Sequence, residues 1–409
     1  MIRMISILIL VLTYQLNAQG AKLMSSEQLD DFGEYDSNEF GFSGSLPQSF
    51  SLEKWVPPVT DQEGGTCVAF ASVYYSLSTI YNMQFNYTNY QDKYSHAFDP
   101  YFIYSIINDD YDYDCNEGLY MSDAVERLDQ IGAKKRWVTP YTRCNTDWTS
   151  EMQSRVRNYS LPYKIKNYGY LKSYQIEKVK EGIVLGLPVT AMFKLTESFN
   201  SSKARSAGSN SIDSDGLWSP RAYEEFAGYH AMTVVGYNDY AYGGAFRVVN
   251  SWGDDFGDNG FIWISYSDFE EFCEQAFVFT VDFDENIKSR SQYTRYSTSD
   301  GVYEGEYFSN GLNGYGIWYA DKSDTYHFGF LDDGSWADGP YIKITPTEFL
   351  YGKIDDGYFI DESNLGFAGM DEDEKIILEN FKLHKSKLNI GKISQSDDVV
   401  SEIDKPKIK

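Results

Sequence analysis

The sequence predicts an α+β fold that ends in a stack of β-hairpins, and three observations support this prediction. Apolar residues recur at three-and-four spacing after Cys67, as in a helix with one buried face. The segments Tyr229–Tyr237 and Phe246–Asn250 are apolar and contain β-branched residues, as strands do. From residue 301 onward, strand-like runs and Asn-Gly or Asp-Gly turns recur every 23 residues, which is typical of stacked hairpins.

The predicted helix begins at Cys67, directly after Gly64, Gly65 and Thr66. Its buried face would consist of Phe70, Val73, Tyr74, Leu77, Ile80 and Tyr81. A helix N-terminus carries about half a positive charge together with free N–H groups, and both stabilise a thiolate. Cys67 is therefore a candidate reactive thiol, with an inert core cysteine as the alternative, because free Cys is commonly buried.

Composition and charge limit the classes of partner. The chain has a net charge of −26, with 35 Lys and Arg against 61 Asp and Glu. Nucleic-acid binding relies on clustered cationic side chains, so no nucleic-acid partner is expected. With 409 residues, of which 42% are hydrophobic, the chain is long enough for two or three domains.

The N-terminus has the pattern of an export signal. A basic start at Met1–Arg3 is followed by the apolar run Met4–Leu12 and by a small residue, Ala18, at the expected cleavage position. We predict a signal peptide at residues 1–18 and a secreted or extracytoplasmic protein. The apolar run is too short to span a bilayer, so the chain is not expected to be transmembrane. Residues 19–44 are polar and acidic, which predicts a flexible leader.

Cysteine and histidine spacing gives little support for a metal or a cofactor. If Cys67 stays free, the other three cysteines can form at most one bridge, and Cys115 and Cys144 are the nearest pair in sequence. No spacing offers a paired-Cys zinc site, and the 4 histidines are scattered. The acidic run at 108–114 lacks the full calcium-loop pattern, which favours a solvated loop. No metal and no cofactor are predicted.

The chain divides into predicted segments of different character. Residues 45–283 form the main domain and contain a long polar loop at 196–228. Residues 284–300 are a predicted linker, residues 301–366 the repeats and residues 367–409 a charged, disordered tail. The positions that keep the step of 23 are Tyr303, Tyr326 and Phe349, then Gly311, Gly334 and Gly357, then Asn310, Asp333 and Asp356.

Four residues have the chemistry needed to cleave a peptide bond through a thiol. Such cleavage needs an activated nucleophile, an oriented proton carrier and a stabilised oxyanion. Cys67 would be the nucleophile, His230 its proton partner and Asn250 the group that orients the imidazole. The Gln62 side-chain amide, beside the Cys67 backbone N–H, would supply the oxyanion hole.

At these residues the chain resembles the papain-like cysteine proteases, as a bacterial-type member, over about residues 46–283. The motifs in chain order are Leu46-Pro47 with Trp55, Asp61-Gln62 through Cys67-Val68-Ala69-Phe70, Cys115-Asn116-Glu117-Gly118, Tyr229-His230-Ala231 through Val235-Gly236-Tyr237, and Asn250-Ser251-Trp252-Gly253 with Gly257-Asp258-Asn259-Gly260. The His and Asn motifs are the specific ones. The repeats resemble MORN repeats, with the unit around Tyr303-Glu304-Gly305 as the best match.

The resemblance implies a two-lobed fold, with Cys67 on a helical lobe and both His230 and Asn250 on a β-barrel-like lobe. A polypeptide substrate would bind in the cleft between them. The resemblance also implies that Trp252 shields the His–Asn hydrogen bond from water and that Gly118 pairs with substrate backbone. For the repeats it implies protein or lipid contact, with a rigid spacer as an equally good alternative.

The sequence departs from the family pattern near the nucleophile. Gln62 lies five positions before Cys67, one fewer than is usual in the family, and Val68 replaces the usual Trp. Glu117 stands where a glycine is typical, which leaves Gly118 as the better candidate for backbone pairing. The 26 residues at 19–44 are fewer than the long inhibitory pro-segment of many relatives.

The expected activity is that of a secreted cysteine endopeptidase. A Cys67 thiolate and a His230 imidazolium would form the resting ion pair, with the lower apparent pKa at roughly 3 to 4. Attack on the substrate would give a thioester that water hydrolyses. The alternatives are an inactive binding protein that uses the repeats and an acyltransferase in which an amine replaces water. Acidic residues at 109–117 suggest a preference for basic peptides.

Overall fold

The computed structural model describes residues 20–361 except for 31, 109–111, 137–143, 147, 149–159, 201–215, 221–222, 282, 284–291, 309–310, 333–334 and 356–357. The predicted signal peptide (1–18) and the predicted tail (367–409) lie outside the described residues. None of the described helices is long and apolar enough to cross a membrane.

The helices are mostly short and lie in the first two thirds of the chain. The α-helices are α1 (Ser26–Asp30), α2 (Cys67–Ala69), α3 (Ser78–Phe85), α4 (Tyr90–Ser95), α5 (Pro100–Ile107), α6 (Met121–Ile131), α7 (Ile176–Val184), α8 (Glu197–Asn200) and α9 (Tyr266–Phe272). A π-helical segment, Phe70–Leu77, joins α2 to α3 into one central helix. Short 3-10 turns occur at Glu53–Trp55, Leu161–Tyr163, Ala241–Gly243 and Asp321–Ser323.

The strands form three sheets. The strands up to residue 281 are β1 (Ala21–Lys22), β2 (Ser49–Ser51), β3 (Leu119–Tyr120), β4 (Ile165–Leu171), β5 (Val189–Thr196), β6 (Leu217–Trp218), β7 (Phe226–Asn238), β8 (Ala245–Val249), β9 (Phe261–Ser265) and β10 (Cys273–Val281). The later strands are β11 (Gln292–Thr298), β12 (Gly301–Phe308), β13 (Gly311–Ala320), β14 (Thr325–Asp332), β15 (Ser335–Ile344), β16 (Phe349–Asp355) and β17 (Tyr358–Asp361).

The central helix is buried on all sides, so the expectation of one buried face is wrong. Every residue from Cys67 to Asn82 is buried, including serines and threonines between the predicted core positions. Several of these hydroxyls are satisfied locally: Ser72 Oγ donates to the Val68 carbonyl at 2.7 Å, and Ser76 Oγ lies 2.9 Å from Thr190 Oγ1. Short polar side chains paired in this way can be buried at little cost.

The β lobe is an open sheet of eight strands rather than the expected barrel. Its order is β4-β10-β5-β7-β8-β9-β6, with β2 added to β7, and no described pairing joins the two ends. The alternation of apolar residues predicts strands but not whether a sheet closes, because closure depends on strand tilt and stagger. The central helix packs against β5 and β7.

The C-terminal sheet is an antiparallel meander of seven strands in the order β11 to β17. Its first strand, Gln292–Thr298, lies within the segment that was expected to be a linker. This strand pairs along its whole length with β12. Buried aromatic side chains, among them Tyr303, Trp318 and Tyr341, form its core. Five of the predicted turn residues, Asn310, Asp333, Gly334, Asp356 and Gly357, lie outside the described part, so a MORN-type repeat stays a prediction.

Residues 20–44, expected to be a flexible leader, pack against the main domain in this structure. Met24 and Tyr35 are buried at 4% and 1% exposure. The Tyr35 backbone N–H donates to the Tyr170 carbonyl at 2.9 Å, and Glu34 forms an ion pair with Lys172. Low average hydrophobicity predicts disorder for this segment. The burial of Met24 and Tyr35, together with the backbone hydrogen bonds, offsets the conformational entropy that is lost when the segment becomes ordered.

Candidate active site

The register of two strands brings His230 to Asn250. His230 lies on β7, and Asn250 directly follows β8, whose Val249 pairs with Thr233 of β7. His230 Nε2 is 2.7 Å from Asn250 Oδ1, and both residues are fully buried. His230 Nδ1 has no hydrogen-bond partner in the described part of the chain. The amide therefore fixes the ring orientation and leaves one nitrogen free for a second group.

Cys67 is the first residue of the central helix. The preceding Gly64 has a φ of +54°, and a side chain there would meet the Cys115 carbonyl at 2.4 Å. The glycine thus allows the turn to press against the Cys115 loop. Backbone groups of Ala231, Val68 and Gly20 lie near the thiol and partly offset the rise in its pKa that burial causes. The helix that begins at Cys67 packs against β7, the strand that carries His230.

Gln62 is held by two contacts to the residue after Asn250. Its backbone N–H donates to the Ser251 carbonyl at 2.8 Å, and Ser251 Oγ donates to Gln62 Oε1 at 2.5 Å. Gln62 Nε2 donates to the Gly64 carbonyl at 2.7 Å. The carbonyl and hydroxyl contacts together hold the amide in one orientation, because the Gly64 carbonyl can only accept and must therefore face Nε2. One amide hydrogen is left for another acceptor.

Aromatic side chains cover the His–Asn hydrogen bond. The rings of Trp252 and His230 have centroids 4.8 Å apart. Phe199, from the start of the long loop at 196–228, lies 5.3 Å from the Trp252 ring and is fully buried. Phe199 could not be predicted from the sequence, since a single apolar residue at the edge of a polar loop carries no positional signal. Residues 201–215 of this loop lie outside the described part.

The loop that contains Gly118 is held by a disulfide and a buried carboxylate. Cys115 and Cys144 form the bridge, with their Cα atoms 5.8 Å apart. Asp112, 2% exposed, accepts from the Asn116 backbone at 2.8 Å. Gly118 has a φ of +70°, which a side chain would strain. The loop therefore presents a fixed backbone edge beside Cys67.

The leader occupies that backbone edge. Strand β1 pairs in parallel with β3, and the Leu119 backbone N–H donates to the Gly20 carbonyl at 2.9 Å. A side chain at Gly20 would meet the Gly65 carbonyl at 1.9 Å, so only glycine fits so close to the nucleophile turn. Further along, the Gln275 side chain donates to the Met24 carbonyl at 2.9 Å. The leader thus lies along the backbone edge at Leu119–Tyr120 and against the turn before Cys67.

Burial favours the uncharged forms of both Cys67 and His230. Desolvation raises the pKa of Cys67 from 9.0 to about 11. Desolvation also lowers the pKa of His230 from 6.5 to about 4, although the hydrogen bond to Asn250 opposes it. The structure therefore holds a neutral thiol and a neutral imidazole rather than the ion pair expected from the sequence, because water is excluded from the pair.

The shifted pKa of His230 predicts that acid opens the site. Below pH 6.5 an opened site takes up a proton that the closed site, with its pKa of about 4, does not bind. The closed form therefore loses stability as the pH falls from 6.5 to about 4, by up to ~3 kcal/mol. Hydrogen exchange at residues 20–24, corrected for its intrinsic pH dependence, should accelerate across this range.

Two histidine variants provide the control for this prediction. The acid step should vanish in a His230→Asn chain, because no proton can then be taken up at the site. It should persist in a His327→Asn chain, whose altered residue lies in the C-terminal sheet. An acid step that survives in His230→Asn would show that another group opens the leader.

No cluster in the described part of the chain suggests a metal centre. Within residues 20–361 and outside the gaps given above, no group of three or more His, Cys, Asp or Glu could hold a metal ion. The acidic run at 108–114 falls partly outside the described residues.

Two solved structures are similar to this chain at low sequence identity. Xylellain, a cysteine protease from Xylella fastidiosa, is 18% identical and covers 66% of this chain and 97% of its own, with a TM-score of 0.49. Digestive procathepsin L2 from Tenebrio molitor is 20% identical and covers 66% of this chain and 81% of its own, also with a TM-score of 0.49.

A curated relative matches a shorter stretch. The uncharacterized peptidase C1-like protein L477 of Acanthamoeba polyphaga mimivirus is 33% identical over 92 residues, or 22% of this chain. The match spans 27% of the length of that relative.

The model of the papain family of cysteine proteases matches residues 46–279, which is more than half of the chain. This stretch contains the nucleophile turn, the His strand and the Asn segment described above, and it ends within β10. The chain therefore belongs to the papain family and carries a papain-family cysteine peptidase domain.

Proposed function

We propose that the protein is a secreted cysteine endopeptidase that hydrolyses peptide bonds with Cys67, His230 and Asn250. The observation that supports this most strongly is the 2.7 Å contact between His230 Nε2 and Asn250 Oδ1, with His230 Nδ1 left without a partner in the described part of the chain. The helix that begins at Cys67 packs against the same strand, β7. This arrangement orients a base towards a nucleophile, as thiol catalysis requires.

In the proposed reaction a proton passes from Cys67 to His230 once the leader has left and water and substrate dipoles surround the pair. The thiolate attacks the carbonyl carbon, and the oxyanion accepts from the Cys67 backbone N–H and the remaining Gln62 amide hydrogen. His230 then protonates the leaving amine, and the carbon–nitrogen bond breaks to give a thioester. Water, deprotonated by His230, hydrolyses the thioester and releases the Cys67 thiol.

The location and the repeats complete the proposal. Residues 1–18 would direct export and be removed. The C-terminal sheet would act as a MORN-like stack of hairpins that contacts a protein or a lipid surface, or as a rigid spacer. Trp252 would keep water from the His230–Asn250 hydrogen bond, which is consistent with its ring lying 4.8 Å from the imidazole.

The proposed role of Gln62 predicts a kinetic effect. Loss of one oxyanion donor typically lowers kcat by about 10²- to 10³-fold, and Gln62→Ala should do so. Ser251→Ala should lower kcat only about 2- to 10-fold, because it frees the amide to rotate without removing the donor. Both values come from steady-state hydrolysis of a fluorogenic peptide, with thermal unfolding as the check on folding.

An isosteric change distinguishes donation from packing at this position. Gln62→Glu keeps the shape of the side chain and the acceptor for Ser251 but has no N–H to offer. We expect its kcat to fall as far as that of Gln62→Ala. A Gln62→Glu chain with undiminished kcat would remove Gln62 from the oxyanion hole.

A further inference from the structure

Lys22 of the leader forms an ion pair with Glu117, a residue that stands where the family usually has glycine. Lys22 Nζ lies 3.8 Å from Glu117 Oε2, with side-chain exposures of 38% and 55%. Among the described residues, Lys22 is the cation within ion-pair distance of Glu117. The ammonium also lies 6.0 Å from the Tyr120 ring.

The position of Lys22 along the cleft is fixed by the backbone. A side chain at Gly20 would meet the carbonyl of Gly65, two residues before Cys67, and Lys22 pairs with Tyr120 in the parallel ladder between β1 and β3. Two residues of extended chain span about 6.6 Å. A substrate backbone that pairs with the same edge, at Leu119–Tyr120, would therefore place one of its side chains near Glu117. The substrate residue two positions away would then lie beside Cys67.

Glu117 is held in place by a rigid turn. The Asp112 carboxylate accepts from the Glu117 backbone N–H at 3.2 Å. Tyr104 Oη donates to Asp112 at 2.7 Å and accepts from the Gly118 backbone at 3.1 Å. With the disulfide at Cys115, these bonds fix the backbone before any ligand arrives. When a cation binds, conformational entropy is lost by the side chains that form the contact but not by the loop, which is already ordered.

We infer that Glu117 is a specificity-determining residue that accepts a Lys or Arg side chain of the substrate, two positions from the residue at Cys67. Lys22 of the leader occupies this cation subsite in the closed form. The inference rests on the proposed peptidase function and narrows its substrates to peptides with a basic residue at that distance. The contact is exposed, so its contribution to discrimination should be about two- to five-fold and should weaken with salt.

A peptide-library digest by the full chain tests the substrate side. We expect Lys and Arg to be enriched about two- to five-fold two residues from the cut bond, on one side of it. The enrichment should disappear in Glu117→Gln and persist in Glu271→Gln, which neutralises another exposed acid, on α9. Absence of enrichment, or enrichment that survives Glu117→Gln, would overturn the inference.

A second measurement does not depend on turnover. The rate at which a thiol reagent labels Cys67 reports how often the leader opens, and it can be followed in full chains carrying Lys22→Gln, Glu117→Gln or both. We expect each single change to raise the rate about two- to five-fold at low salt and the double change to add nothing further. Additive effects would show that the two side chains do not interact, which would also overturn the inference.

Protection of Cys67 by peptides separates this inference from the proposed function. In the Lys22→Gln chain, the peptide Gly-Ala-Lys-Leu should protect Cys67 from labelling at a lower concentration than Gly-Ala-Gln-Leu, and Glu117→Gln should abolish the difference. If no peptide is ever cleaved, the proposed function fails while this difference still supports the cation subsite. Equal protection by the two peptides would overturn the subsite even in an active peptidase.

Discussion

Replacement of Cys67 by Ala should reduce peptide hydrolysis by at least about 10⁴-fold, because the reaction loses its nucleophile and no other group lies at the same position. Binding of peptide and folding should change little, since the side chain contributes only a thiol at the start of the helix. The measurement is the rate of hydrolysis of an unfolded protein substrate by the purified full chain across a range of pH.

Cys273 provides a matched control within the same chain. It is the second free cysteine of the described part, and burial raises its pKa as it does that of Cys67. Its sulfur contacts the Gln275 carbonyl at 3.6 Å rather than a histidine. We expect Cys273→Ala to retain activity, with only a modest loss of stability. Equal loss in both variants would mean that stability rather than chemistry is being measured.

The second large effect should come from the leader. Met24→Asp places a carboxylate in an apolar site, which costs roughly 2 to 5 kcal/mol and shifts the balance towards the open form. The rate of Cys67 labelling and the rate of peptide hydrolysis should therefore both rise by at least about 30-fold. Both rates are measured on the full chain at neutral pH.

The neighbouring Leu23 serves as the control for this change. It is 42% exposed, so Leu23→Asp adds the same charge to the leader without disturbing a buried contact. We expect it to leave both rates within about two-fold of the original. If Met24→Asp accelerates neither labelling nor hydrolysis, the leader does not limit access to Cys67.

Local patterns were sufficient to predict the strands that carry His230 and Asn250 and the helix that begins at Cys67. The predicted strand at 229–237 lies within β7, and the predicted strand at 246–250 overlaps β8. Each depends on apolar residues at short spacing, which is the information a single sequence expresses most directly. The burial of the whole central helix was missed, because paired serines appear polar in sequence.

Residues that act through distant contacts could not be predicted in the same way. Ser251 holds Gln62 across 189 positions of sequence, and Gln275 holds the Met24 backbone across 251. Nothing in the local pattern around either residue distinguishes it from a surface polar group. Their roles follow from where the sheet places them.

The sequence by itself determined the chemistry that is available to this protein. Short sequence motifs identify Cys67, His230 and Asn250 and give their order in the chain. The same motifs include the neighbouring glycines and the tryptophan. Only the tertiary structure decided that the leader fills the cleft, because that depends on the fit of Gly20 against Gly65 and on the burial of Met24. Burial in the fold also raises the pKa of Cys67 and lowers that of His230, which favours the uncharged form of each.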